Sequence, residues 1–176
     1  TRMQTSGFIF KYESNKYIVS VDHGYSISHN KIKVKLNNRT FETKIIHQPI
    51  WNELFLLDAS KITHDPRNVY KKYRLKMPAI NEKLFLSDKT RLSFVKTQMF
   101  YLNMVPYNPK TLYLKVMFLD KQCIKSYSGL PVFDKNDKIV VIIAKAQFDY
   151  AFLIPIYFLI KTFKRIDNMG IYYPNV

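Results

Sequence analysis

Ser128 stands in the stretch Ser126-Tyr127-Ser128-Gly129-Leu130-Pro131-Val132-Phe133-Asp134, with a glycine directly after it and a proline two positions further on. A serine hydroxyl becomes a useful nucleophile only beside a base, and the base works best when a third group orients it. It also needs hydrogen-bond donors aimed at the oxyanion that forms when it attacks a carbonyl. The candidate bases are four histidines, His23, His29, His47 and His64. Carboxylates that would orient one of them are few, because only 13 Asp and Glu stand against 28 Lys and Arg.

The elements that must position these groups alternate with period two. Gly7 to Tyr12 and Tyr17 to Val21 read as two strands joined by the polar turn Glu13-Ser14-Asn15-Lys16. Lys31 to Leu36 alternates charged and apolar residues, which predicts one wet face and one buried face. Asn37-Asn38 is a turn tolerant of positive φ. Thr40 to Ile46 and Glu53 to Leu57 follow as strands, and the polar stretch from Thr63 to Tyr73, with Pro66, reads as a connector. A second strand-rich half has its clearest segments at Lys83–Leu86, Ser93–Tyr101, Leu112–Phe118 and Ile139–Ala144. Asp134-Lys135-Asn136-Asp137 is the hairpin turn before the last of these.

The end of the chain changes period. Ile156, Leu159, Ile160, Phe163 and Ile166 recur at helical spacing, opposite Lys161, Lys164 and Arg165. Pro155 suits a first helical turn, and basic residues near the end suit the helix dipole. Such a helix covers the end of a sheet or docks on a membrane or partner. Short strands followed by one helix predict an all-β protein with two closed barrels.

A hydrophobic fraction of 47 % and only 4 glycines in 176 residues exclude general disorder and a flexible linker. The net charge of +15 favours anionic partners: nucleic acid, acidic lipid headgroups or an acidic protein surface. Lys, Asn, Ile, Tyr and Phe are abundant together, the set that AT-rich codons encode, so genome composition accounts for part of that charge. A single cysteine, Cys123, gives no internal disulfide and no support for an oxidising compartment. The longest apolar run, Ala151 to Ile160, falls short of the ~18–20 residues of a membrane helix and contains Pro155. No cofactor or metal is expected. The opening Thr1-Arg2-Met3 is what a processed or excerpted chain shows, and an upstream segment is expected.

Four landmarks, in order, carry a resemblance. Ser6-Gly7-Phe8-Ile9-Phe10 with Tyr17-Ile18-Val19-Ser20-Val21-Asp22-His23 resembles the Gly-Ser-Gly-Phe-Ile-Ile and Tyr-Ile-Val-Thr-Asn-Asn-His pattern of the HtrA/Deg branch of trypsin-like serine proteases. Lys31 to Ile46 is similar to that family's strand, Asp-Gly-Arg turn and strand, and Asn52-Glu53-Leu54-Phe55-Leu56-Leu57 to its Thr-Asp-Leu-Ala-Leu-Leu. Ser126 to Pro131, followed by Lys138 to Ile143, resembles Gly-Asn-Ser-Gly-Gly-Pro and the strand after it. Tyr150 to Ile156 resembles Gly-Phe-Ala-Ile-Pro before the closing helix.

The resemblance implies a trypsin-like fold of two six-stranded antiparallel barrels, the first lacking its first strand unless upstream residues contribute it. It divides one domain, 1–176, into a barrel over 1–62, a connector over 63–74, a barrel over 75–154 and a helix over 155–167. It makes Ser128 the nucleophile, His23 the base and Glu53 the orienting carboxylate, with Asn52 and Asp58 as neighbours that strand alternation from Leu54 disfavours. The backbone N–H groups of Ser126 and Ser128 would line the oxyanion hole, with Gln122 and Ala144-Lys145-Ala146 beside the specificity pocket. Ser126 and Leu130 stand where the family has glycines. The losses leave two readings: a serine endopeptidase acting on peptides, or a catalytically dead pseudoprotease used as a basic binding domain.

Overall fold

The computed structural model describes residues 5–21, 32–36, 38–47, 54–62, 69–88, 91–96, 114–118, 127–147 and 150–169. The first half starts with strands β1 (Gly7–Tyr12) and β2 (Asn15–Val21), an antiparallel hairpin with Phe10 opposite Tyr17. The connecting Glu13 takes a left-handed φ of 56°. Strands β3 (Ile32–Leu36) and β4 (Arg39–Thr43) form a second hairpin, turned by Asn38 at φ 66°, as its asparagine chemistry predicts. Strands β5 (Ile45–His47), β6 (Leu54–Asp58) and the short β7 (Val69–Tyr70) complete a five-stranded sheet in the order β5-β6-β2-β1-β7.

The Thr40–Ile46 segment, read as one strand, breaks at Lys44. β4 stays with β3 while β5 crosses to β6, and the corner is tied by Asp58 N–H donating to the Lys44 carbonyl at 3.0 Å. Thr43 Oγ1 donates to the Asp58 carbonyl at the same corner.

Both faces of this sheet are covered, so its strands are apolar runs where β3 alternates. Ile9, Ile18, Phe55 and Leu57 pack under Ile32, Val34, Leu36 and Phe41 of the β3–β4 hairpin, leaving Lys33 and Lys35 exposed. The opposite face, with Phe8, Phe10, Tyr17, Val19 and Val21, meets the second half of the molecule.

That half is a closed, wholly antiparallel barrel of β8 (Lys83–Phe85), β9 (Arg91–Lys96), β10 (Leu114–Phe118), β11 (Pro131–Phe133), β12 (Ile139–Gln147) and β13 (Tyr150–Pro155). Leu84, Val132, Val141, Ile143 and Leu153 fill it. Among the described residues the first half does not close into a ring: it is the sheet plus the β3–β4 hairpin.

Helix α1 (Ile156–Met169) begins one residue after Pro155, which pairs with Val141 as the last residue of β13 and does not enter the first helical turn. The helix also runs past Arg165, so no basic residue occupies its last turn and the expected dipole pairing is absent there. Its apolar stripe faces the seam between the halves, with Ile156, Leu159, Ile160 and Phe163 buried. Phe163 is completely covered, its ring 5.6 Å from Phe10, 4.9 Å from Tyr12 and 4.8 Å from Tyr17.

The connector is built into the same seam. Tyr70 contacts Phe8 at 6.3 Å and Phe133 at 5.1 Å, and burial pushes its phenol pKa up. Arg74 N–H donates to the Ile139 carbonyl and Ile139 N–H to the Lys72 carbonyl. The Arg74 guanidinium holds Glu82 in a two-pronged pair at 2.9 and 3.1 Å and reaches the buried Asp134 at 3.3 Å. Asp134 Oδ1 in turn accepts the N–H groups of Asn136 and Lys138, closing the predicted hairpin turn.

The Arg74 hydrogen bond holds the Glu82 carboxyl below its ordinary value. A lowered folded-state pKa adds stability above the unfolded value and loses it as pH falls through the folded one. Glu82→Gln should therefore cost about 1 kcal/mol at neutral pH, the upper end for a partly exposed pair. Urea unfolding at decreasing pH should show that difference shrinking below about pH 4, as the wild-type carboxylate is protonated.

Candidate active site

The Ser128 turn sits where the two halves touch. Ser128 is 5 % exposed, in a tight turn closed by Leu130 N–H donating to the Tyr127 carbonyl at 3.0 Å. Gly129 N–H donates to the Ile143 carbonyl and Ile143 N–H to the Leu130 carbonyl, which fastens the turn to β12. From the other half, Ser6 N–H donates to the Ser128 carbonyl at 2.8 Å. Ser20 Oγ donates to the Ser6 carbonyl at 2.7 Å, so the hydroxyl of Thr5, 3.2 Å from Ser20 Oγ, supplies the proton for their contact.

Gly129 has φ +95°, and a Cβ there would lie 1.8 Å from the Ser6 carbonyl oxygen. The glycine after Ser128 is thus required by backbone conformation and by the close approach of the first half. Gly129→Ala should cost about 2–5 kcal/mol, the sum of left-handed strain and overpacking, read as a shift in the urea midpoint. Leu130 has no such demand on it. Its half-buried side chain joins Tyr127 against the barrel's apolar interior.

Ser128 is the one predicted catalytic residue among the described positions. His23, Glu53, Ser126 and Gln122 lie outside them, as do His29, His64 and Cys123. The strands leading to the first two are described. β2 ends at Val21, two residues before His23, and β6 begins at Leu54, one residue after Glu53. Val21 and Leu54 are antiparallel partners, and Ser20, next to Val21, is the residue whose hydroxyl reaches the Ser6–Gly129 contact. Asp58 pairs with Tyr17 at the opposite end of β6 and accepts the Ser60 N–H. His47 is buried on β5 opposite Leu56, and Ala144 and Ala146 are buried on β12.

Sequence reasoning did not single out Thr5, Ser6 and Ser20 as supports of the turn. Their signal is slight: small hydroxyl residues beside a glycine at the start of β1 and near the end of β2. Gly7 belongs to the same contact, since a Cβ there would come 2.7 Å from the Val19 carbonyl oxygen.

The architecture matches solved structures over nearly all of its length. The active form of the Rv3671c protease from M. tuberculosis is similar over 92 % of this chain and 73 % of that one, with TM-score 0.68 and 11 % identity. A serine protease of a human pathogenic astrovirus matches at TM-score 0.55 and 14 % identity, covering 86 % of this chain and 82 % of that one. The chain has the trypsin-like fold. The HtrA-type protease AlgW adds a trypsin-like neighbour at TM-score 0.61 and 15 % identity; 94 % of this chain matches, spanning 52 % of AlgW. No protein-family model matches the sequence, and no curated protein sequence matches it. At such identities the likeness concerns the trypsin-like fold alone. Among the described residues no helix is long and apolar enough to cross a membrane.

Proposed function

We propose that this trypsin-like domain is a serine endopeptidase acting on peptide or protein substrates, with Ser128 as nucleophile, His23 as general base and Glu53 as the group that orients the imidazole. One observation carries the reading. The pair Val21 and Leu54, from which the chain runs on to His23 and back to Glu53, ends the β2–β6 ladder beside the contact that joins Ser20 and Ser6 to the Ser128 turn. In this reaction Ser128 Oγ attacks the scissile carbonyl while His23 Nε2 takes its proton. Glu53 accepts the Nδ1–H and stabilises the imidazolium. The N–H groups of Ser126 and Ser128 receive the oxyanion. His23 then gives its proton to the leaving amine, and water, deprotonated by the same histidine, releases the acyl group.

A fluorophosphonate probe tests this, because it labels only an activated serine. Labelling of the wild type that disappears in Ser128→Ala supports the peptidase. A second reading, the inactive domain, draws on the 5 % exposure of Ser128 and on Ser126 standing in a glycine position. A folded wild type that takes no probe sinks the peptidase reading in favour of that one.

A further inference from the structure

Residues 74–82 form a loop whose ends are pinned together by side chains. The two-pronged Arg74–Glu82 pair closes it, Arg74 Nε donates to the Lys76 carbonyl at 3.0 Å, and Ala79 N–H donates to Glu82 Oε1 at 3.0 Å. Glu82 N–H returns to the Ala79 carbonyl, Asn81 takes a left-handed φ of 68°, and Pro78 is buried beneath. The Arg74–Asp134 contact anchors this base to the second barrel. Braced loops of this size with adjoining ends are frequently functional.

Such a loop has polar contacts enough for its shape, yet it holds apolar side chains in solvent. Leu75 is 45 % exposed, Met77 37 % and Ile80 64 %, three large exposed hydrophobics within six residues. Scattered single cases are ordinary, while a cluster marks a contact surface. Lys71, Lys72, Lys76 and Lys83 are exposed around them, and the one carboxylate of residues 71–83, Glu82, is already engaged by Arg74.

We propose that this loop docks the protein on a lipid surface rich in acidic headgroups, with Leu75, Met77 and Ile80 entering the headgroup boundary and the lysines meeting the lipid phosphates and carboxylates. The composition decides among occupants. Protein interfaces, though enriched in Met, are depleted in lysine and centre on aromatic or arginine anchors, and this loop surrounds Leu75, Met77 and Ile80 with lysines and has no exposed aromatic ring. Nucleic acid uses the cations but has no use for three aliphatic side chains around them. Apolar residues rimmed by lysine are what binds an anionic membrane surface, each cation and each buried methylene adding to the partition. Nothing in this proposal depends on whether Ser128 is catalytic.

Sedimentation of the chain with phosphatidylcholine vesicles, with and without phosphatidylserine, tests it. Retention is expected on the phosphatidylserine vesicles. Leu75→Ser with Ile80→Ser should lower it by about ten-fold or more, with thermal unfolding unchanged, since both side chains are exposed. Ile80→Ser alone serves if the double variant unfolds. Lys76→Gln should lower it by about five-fold. Absence of retention at low salt overturns the proposal. So does retention indifferent to Leu75 and Ile80 and abolished by RNA, which would reveal a diffuse polyanion surface.

Discussion

Ser128→Ala is expected to lower peptide hydrolysis by about 10⁶-fold in kcat, the scale on which a serine nucleophile acts once base and oxyanion donors are in place. The losses should not add. His23→Ala introduced into Ser128→Ala should cost little more, because the proposed mechanism has the two groups perform one step. Glu53→Gln should lose about 10⁴-fold through the wrong imidazole tautomer. Ser126→Gly carries the opposite sign: with glycine at the position proposed to supply one oxyanion N–H, kcat should rise by about 10²–10³-fold. Rates on a peptide library at saturating substrate, with circular dichroism of each variant, separate these outcomes from simple unfolding. Equal rates for Ser128→Ala and wild type would end the assignment.

Phe163→Ala should destabilise the protein by about 3–5 kcal/mol, the usual cost of emptying a buried phenylalanine site. The ring is 0 % exposed and lies nearly parallel to Phe10, at 8°, with Tyr12 and Tyr17 also against it. Those partners belong to the first hairpin, and the ring belongs to helix α1, the last described element. Collapse of the cavity would require the helix to move into a sheet that is already packed on its other face. Thermal unfolding should drop by roughly 6–20 °C, and Phe163→Leu should recover most of it. Because the Ser128 turn depends on Ser6 of the same half, probe labelling should weaken in Phe163→Ala below the melting transition. Labelling at the wild-type rate there would mean the helix does not hold the site together.

Much of this was legible in local pattern. Alternation from Lys31 to Leu36 gave a hairpin strand with Lys33 and Lys35 wet, because period two is a property of neighbouring residues and needs no knowledge of the rest of the chain. The polar turns at Glu13, Asn38 and Asp137, all left-handed, were readable from residue type. The helix is legible from its stripe, but its end is not: the basic residues stand where a last turn is expected, and the chain stays helical to Met169. Thr40–Ile46 has the local pattern of one strand because a corner between two sheets leaves no local mark; it depends on which strand lies opposite Lys44.

Local pattern alone sets the all-β class, the two strand-rich halves with a closing helix, and Ser128 in its glycine-following turn as the candidate nucleophile. These rest on periodicity and backbone freedom, which act over a few residues. Why Gly129 has to be glycine emerges from long-range packing, since the answer is a carbonyl more than a hundred residues earlier. The same packing joins the connector to the β-ladder of the first half, closes Phe163 on Phe10, Tyr12 and Tyr17, and leaves Leu75, Met77 and Ile80 outside. Such contacts depend on how distant surfaces fit when chain entropy is finally offset by burial, and no local pattern encodes that fit.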